Sequence, residues 1–97
     1  MTLSIMTANL NGIRAAQRKG FFDWLDERRP DVLCIQETKA QRAQLEGGPY
    51  FPSGYHTAFA DAERKGYSGV AVYSLREPDS YHEGLGLPEI DREGRWL

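Results

Sequence analysis

The tightest constraint on this chain is the run Val32-Leu33-Cys34-Ile35, framed by Pro30-Asp31 before it and Gln36-Glu37 after it. Four consecutive apolar residues between polar ones predict a strand over residues 31–37 covered on both faces, because a strand open on one side alternates instead. Strands of that kind belong to sheets on which helices pack. Pro30 closes whatever helix precedes it, since proline forces the residue before it out of the α region. Phe21, Phe22, Trp24 and Leu25 supply a broad apolar stripe at helical spacing, and Asp23, Asp26, Glu27, Arg28 and Arg29 supply the polar remainder, so a helix leads into the strand.

The flanking segments extend this pattern. Residues 3–8 read as a strand that runs into the turn Asn9-Leu10-Asn11-Gly12, where Asn and Gly tolerate the positive φ of a sharp bend. Residues 39–46 suit a short exposed helix, residues 47–54 are loop material, and residues 55–60 and 68–74 are strand candidates around a charged turn at 61–66. Residues 75–94 read as mostly irregular, and Arg95-Trp96-Leu97 as the start of a further strand. A strand, a helix and a second strand predict parallel neighbours whose carboxyl ends lie together, where α/β sheets place ligands. One amphipathic helix is little cover for such strands, so the expectation is the opening part of an α/β domain, poorly stable by itself with an apolar sheet face exposed.

Composition narrows the class. With 97 residues, 40% hydrophobic and 27% charged, the chain is one globular unit rather than a disordered or fibrous one. A net charge of −2 gives no global basic field, so any nucleic-acid contact must come from a local patch. Cys34 is the single cysteine, which rules out an internal disulfide, fits a reducing compartment and reads as a small buried hydrophobe. No basic-then-apolar leader and no membrane-length apolar run is present, so a cytoplasmic protein without a membrane partner is expected. His56 and His82 lack metal-ligand spacing, the serines lack a nucleophile elbow, and no phosphate-binding Walker loop occurs.

Three polar clusters carry the candidate chemistry. Asn9 and Asn11 end the first strand, and residues two apart in extended chain point the same way. Gln36-Glu37-Thr38 end the second. One carboxylate beside two amides is an oxygen-rich set that suits a hard cation such as Mg²⁺, which keeps waters for a phosphate. Turn formation by Asn-x-Asn-Gly and helix capping by Glu37 explain the same residues. The third cluster, Arg64-Lys65-Gly66-Tyr67-Ser68-Gly69, could lie along a phosphate backbone or form a hairpin turn. Arg14, Arg18 and Lys19 make a basic stretch that is equally a solvated helix start.

Taken in order, Asn9-Leu10-Asn11-Gly12-Ile13-Arg14-Ala15, Lys19-Gly20-Phe21-Phe22-Asp23-Trp24-Leu25, Gln36-Glu37-Thr38-Lys39, Lys65-Gly66-Tyr67-Ser68-Gly69-Val70 and Asp91-Arg92-Glu93-Gly94-Arg95 resemble the motifs of one family. It is the exonuclease III and abasic-site endonuclease branch of the endonuclease/exonuclease/phosphatase superfamily. The resemblance implies a four-layer α/β sandwich of which residues 1–97 are the N-terminal portion of a single, incomplete domain. It implies a monomeric Mg²⁺-dependent nuclease, Mn²⁺ being an alternative ion, that cuts DNA at abasic sites and 3′ ends. Glu37 then matches the metal-binding carboxylate, Asn11 the amide that helps order metal and phosphate, and Asn9 its active-site neighbour. Arg14, Lys65, Gly66 and Tyr67 match DNA-contacting positions. Thr7-Ala8 stands where the family usually carries Phe or Ser followed by Trp, which reads as neutral packing variation. The family's catalytic tyrosine, its Asp-x-Asn motif and its terminal Asp and His have no counterpart in these residues, so the 97-residue chain alone is expected to be inactive.

Overall fold

The computed structural model describes residues 3–77 and Gly94. Strands β1 (Ile5–Asn9), β2 (Val32–Gln36), β3 (His56–Ala60) and β4 (Val70–Ser74) form one sheet in the order β1-β2-β4-β3. Helices α1 (Ile13–Arg18) and α2 (Phe21–Arg28) connect β1 to β2, and α3 (Arg42–Leu45) follows β2. β1 and β2 are parallel, with Ile5 opposite Val32 and Asn9 opposite Gln36, as a strand–helix–strand crossover requires. β4 runs antiparallel to both β2 and β3, so the hairpin β3–β4 folds back and inserts its second strand at the sheet's centre.

The register divides the sheet into two unlike faces. Leu33, Ile35, Ala71, Tyr73 and Phe59 line one face and pack with Ile13, Phe22, Leu25 and Leu45 in a single buried cluster. Each fully buried side chain of this kind stabilises the fold by roughly 1.5–3 kcal/mol relative to exposure. Tyr73 is buried with its hydroxyl donating to the Tyr50 carbonyl at 2.6 Å, which satisfies the polar atom that this ring carries into the core. Burial also pushes the Tyr73 phenol far above its ordinary pKa. On the opposite face, Ile5, Val32, Cys34, Val70 and Val72 are exposed or half-buried, and Ile5 is 61% exposed.

Among the described residues the helices pack on one face of β2 only, so the second face, for which the four-residue apolar run calls for cover, is left open, as expected of this chain by itself. Cys34 is half-buried rather than buried for the same reason, since strand alternation turns it away from Leu33 and Ile35. Residues 13–18 form a helix of their own, whose single buried residue, Ile13, gives no apolar period to read. The exposed helix expected at 39–46 shortens to Arg42–Leu45 and buries Leu45 completely. Residues 68 and 69 lie outside β4 because Ser68 and Gly69 have φ of 48° and 89°. The readings for His82, for residues 78–93 and for 95–97 fall outside the described residues.

Candidate active site

Three backbone hydrogen bonds bring the ends of β1 and β2 to one place. Leu10 N donates to Gln36 O at 3.0 Å, Gly12 N to Glu37 O at 2.9 Å, and Ile13 N to Thr38 O at 2.8 Å. The chain after β1 thus stays paired to the chain after β2 until α1 begins. Gly12, with φ of 108°, makes the bend that a Cβ would oppose.

Asn9 and Asn11 do meet at this point, though not by strand alternation. Asn11 is left-handed, with φ of 47°, and its amide donates to Asn9 Oδ1 at 3.0 Å. That is the turn the Asn-x-Asn-Gly pattern suggests, and it leaves Asn9 Nδ2 to donate to Glu37 Oε2. Glu37 is itself left-handed, with φ of 54°, and caps no helix. The N-terminus of α3 is served instead by a capping box between Gln41 and Gln44, and by Asp61, whose Oδ2 accepts from Arg42 N at 2.8 Å.

Lys39, with φ of 51°, completes the cluster. Its ammonium donates to Asn11 Oδ1 and lies 3.9 Å from Glu37 Oε1. Asn9, Asn11, Glu37 and Lys39 therefore form a chain of side-chain contacts in which one oxygen of Glu37 faces an amide and the other faces a cation. Sequence reasoning named the first three and missed Lys39. The available signal was a lone basic residue two positions after a lone carboxylate.

The hairpin loop between β3 and β4 is bolted to the same cluster. Thr38 N donates to Gly69 O at 3.1 Å and Lys39 N to Ser68 O at 2.7 Å. Thr38 is fully buried, and its hydroxyl lies 3.4 Å from the carbonyls of both Ala40 and Ser68. A Cβ placed on Gly69 would overlap Thr38 Oγ1, so the approach of the two segments requires glycine. The result is an open cleft of about 460 Å³ lined by Glu37, Lys39, Gly66, Tyr67 and Ser68. Lys65 and Gly66 are exposed on its loop, and the Arg64 guanidinium stands 5.4 Å from the centre of the Tyr67 ring. Arg14 reaches the site from α1, donating to Lys39 O at 3.3 Å. Asn9, Asn11, Glu37, Arg14, Lys65, Gly66 and Tyr67 are thus gathered at the carboxyl ends of β1 and β2 or on the loop fixed to them, while Arg18 and Lys19 stand at the far end of α1.

The donor set fits a hard divalent cation. Glu37 Oε1 and Asn11 Oδ1 are both oxygens turned toward a single positive charge, here the Lys39 ammonium. Among the described residues no group of three His, Cys, Asp or Glu side chains gathers.

Residues 6–97 match the family model described as the Endonuclease/Exonuclease/phosphatase family. This chain belongs to that family. It is 42% identical to an exodeoxyribonuclease of Bacillus subtilis (strain 168), across 96% of this chain and 36% of that protein. Its fold is that of an AP endonuclease from Archaeoglobus fulgidus, with a TM-score of 0.78 and 37% identity over 95% of this chain and 35% of the other. A 3′–5′ exonuclease from Neisseria meningitidis superposes with a TM-score of 0.79 and 27% identity over 96% of this chain and 35% of the other. The chain thus spans about a third of the length of the proteins it matches. The single sheet with its helices corresponds to the N-terminal part of that mixed α/β fold. No helix among the described residues is long and apolar enough to cross a membrane.

Proposed function

We propose that this chain supplies the metal-holding part of a Mg²⁺-dependent DNA-repair nuclease that hydrolyses phosphodiesters at abasic sites and 3′ ends, with Mn²⁺ able to replace Mg²⁺. The observation that carries this reading is the convergence of Glu37, Asn9 and Asn11 on one spot beside a loop that presents Lys65 and Tyr67. The names of the relatives support DNA as the substrate.

In this reading Glu37 and Asn11 hold the cation, and Asn9 fixes the Glu37 carboxylate through its amide. The bound ion would neutralise charge on the scissile phosphate and the leaving oxygen. Lys65 and Arg14 lie where they can donate to flanking phosphates, Gly66 lets the backbone approach them, and Tyr67 offers a ring to a sugar or base. Activation of the attacking water and protonation of the leaving 3′ oxygen fall to groups outside these 97 residues, which form the N-terminal portion of one domain. The complete protein acts as a monomer.

The test is incision of an abasic-site duplex and of a recessed 3′ end by the full gene product, in Mg²⁺ and in chelator. Chelator-sensitive cleavage is expected on both substrates. Replacing Lys65 and Tyr67 together with Ala should weaken DNA binding and lower the slope of log K against log salt by about 1. Cleavage of RNA or release of phosphate from a small ester, without action on DNA, would move the protein to another branch of the family. No hydrolysis of any of these substrates would make it a remnant without catalysis.

A further inference from the structure

Glu37 and Asn11 turn two electron-rich oxygens toward a common point, an arrangement that repels itself unless a positive charge stands there. The Lys39 ammonium stands there, bonded to Asn11 Oδ1 and 3.9 Å from Glu37 Oε1. Its position is built in from the backbone. Lys39 N is tied to Ser68 O at 2.7 Å, Lys39 O accepts from Arg14, and the left-handed φ of 51° turns the side chain back across the site. These ties hold the main chain only. The four-carbon stem is flexible and the ammonium is a compact point charge, so the head can leave while the backbone stays. The Lys39 side chain is 39% exposed, which gives the displaced head a route to water.

We propose that Lys39 is a positioning residue that serves as a resident cation: its ammonium holds Glu37 and Asn11 in place in the metal-free protein, and an arriving divalent ion displaces it. This rests on the reading of Glu37 and Asn11 as the metal-holding pair. It has a consequence of definite sign. Divalent-ion affinity is reduced by the need to eject the ammonium, so removing its charge tightens metal binding. A lysine that merely supported the site would do the opposite, because its loss would loosen the ligands.

The experiment measures Mn²⁺ binding to the full gene product, by the electron paramagnetic resonance signal of the free ion, in four proteins: unmodified, Lys39→Met, Lys39→Arg and Glu37→Gln. Lys39→Met should bind Mn²⁺ about three- to tenfold more tightly, the effect of one unit charge a few ångströms away in a largely solvated setting. Lys39→Arg, which keeps the charge, should stay within about twofold of the unmodified protein. Unchanged or weaker binding in Lys39→Met overturns the proposal, as does equal tightening in Lys39→Arg. If Glu37→Gln leaves Mn²⁺ binding intact, the metal reading itself fails; if it weakens binding while Lys39→Met changes nothing, only the resident cation fails. A second measurement needs no variant. Labelling of Lys39 by an amine-reactive ester, read by mass spectrometry, should rise when Mn²⁺ is added, and unchanged labelling at saturating Mn²⁺ refutes displacement.

Discussion

At the amino end of the β1–β2 pair, Asp31 Oδ2 accepts from the Ser4 amide at 2.8 Å and from the Ser4 hydroxyl at 3.1 Å, while Ser4 Oγ accepts from the Asp31 amide at 3.0 Å. At the carboxyl end, Glu37 is held by the side-chain tips of Asn9 and Lys39. Both ends of the same strand pair thus carry one carboxylate. The difference lies in what the partner is attached to. Ser4 is a short residue whose amide cannot move without unpairing β1, so the Asp31 carboxylate is committed to structure. Its hydrogen bonds from the Ser4 amide, then from the Ser4 hydroxyl, hold it below the usual aspartate pKa. Glu37 is held by side chains alone, and the Lys39 head can swing away while the strands stay paired and Asn9 keeps the other oxygen. A carboxylate can exchange a partner when that partner is the tip of a flexible side chain rather than a backbone amide.

Substitutions can break this contrast at several strengths. The largest effect is expected from Glu37→Gln in the full gene product. Incision of abasic DNA should fall on the order of 10²–10³-fold, since several kcal/mol of charge neutralisation are lost, while the thermal midpoint shifts little. Near-normal turnover at saturating Mg²⁺, or a collapse of the midpoint, would place Glu37 with Asp31 as a structural carboxylate. Next comes Gly69→Ala, which asks whether the exchangeable end needs a rigid floor. With φ of 89° and Thr38 against the would-be Cβ, it should destabilise the fold by about 2–4 kcal/mol in urea titration. A change under about 0.5 kcal/mol would mean that the hairpin loop is free to drift from the site.

The smallest effect belongs to Asp31→Asn. A carboxylate with a lowered folded-state pKa favours its charged form in the fold. Its contribution is therefore present above the ordinary aspartate pKa near 3.9 and is lost as pH falls through the lowered value. The unmodified protein should lose stability with acid across that window, and Asp31→Asn should lose less there while differing only slightly at pH 7. Parallel melting curves for the two proteins against pH would remove Asp31 from this role.

The legible parts of the molecule were those decided by neighbours in sequence. β2 could be read because Pro30-Asp31 and Gln36-Glu37 bound an apolar run, and α2 because Phe22 and Leu25 recur at helical spacing. The meeting of Asn9, Asn11 and Glu37 followed from β1 and β2 being parallel neighbours. What escaped depends on contacts far apart in the chain. Nothing near Val70 says that β4 will lie between β2 and β3, and nothing near Cys34 says which of its faces the helices choose. Lys39 escaped for a backbone reason. Two left-handed residues, Glu37 and Lys39, end the regular alternation of β2, so no periodic rule places the side chains that follow Gln36.

Those left-handed residues bear on how such a protein can change over generations. Of the five non-glycine residues with positive φ among those described, Asn11, Glu37, Lys39 and Ser68 stand around the cleft, and Arg29 alone stands elsewhere. An L-residue held there costs about 1–2 kcal/mol relative to one in a relaxed region, which glycine escapes. A laboratory lineage selected for heat survival alone would therefore find easy gains at these positions. It would accumulate glycine where Glu37 and Lys39 now stand, and its descendants would be hardier proteins without the carboxylate and the ammonium that meet Asn9 and Asn11 there.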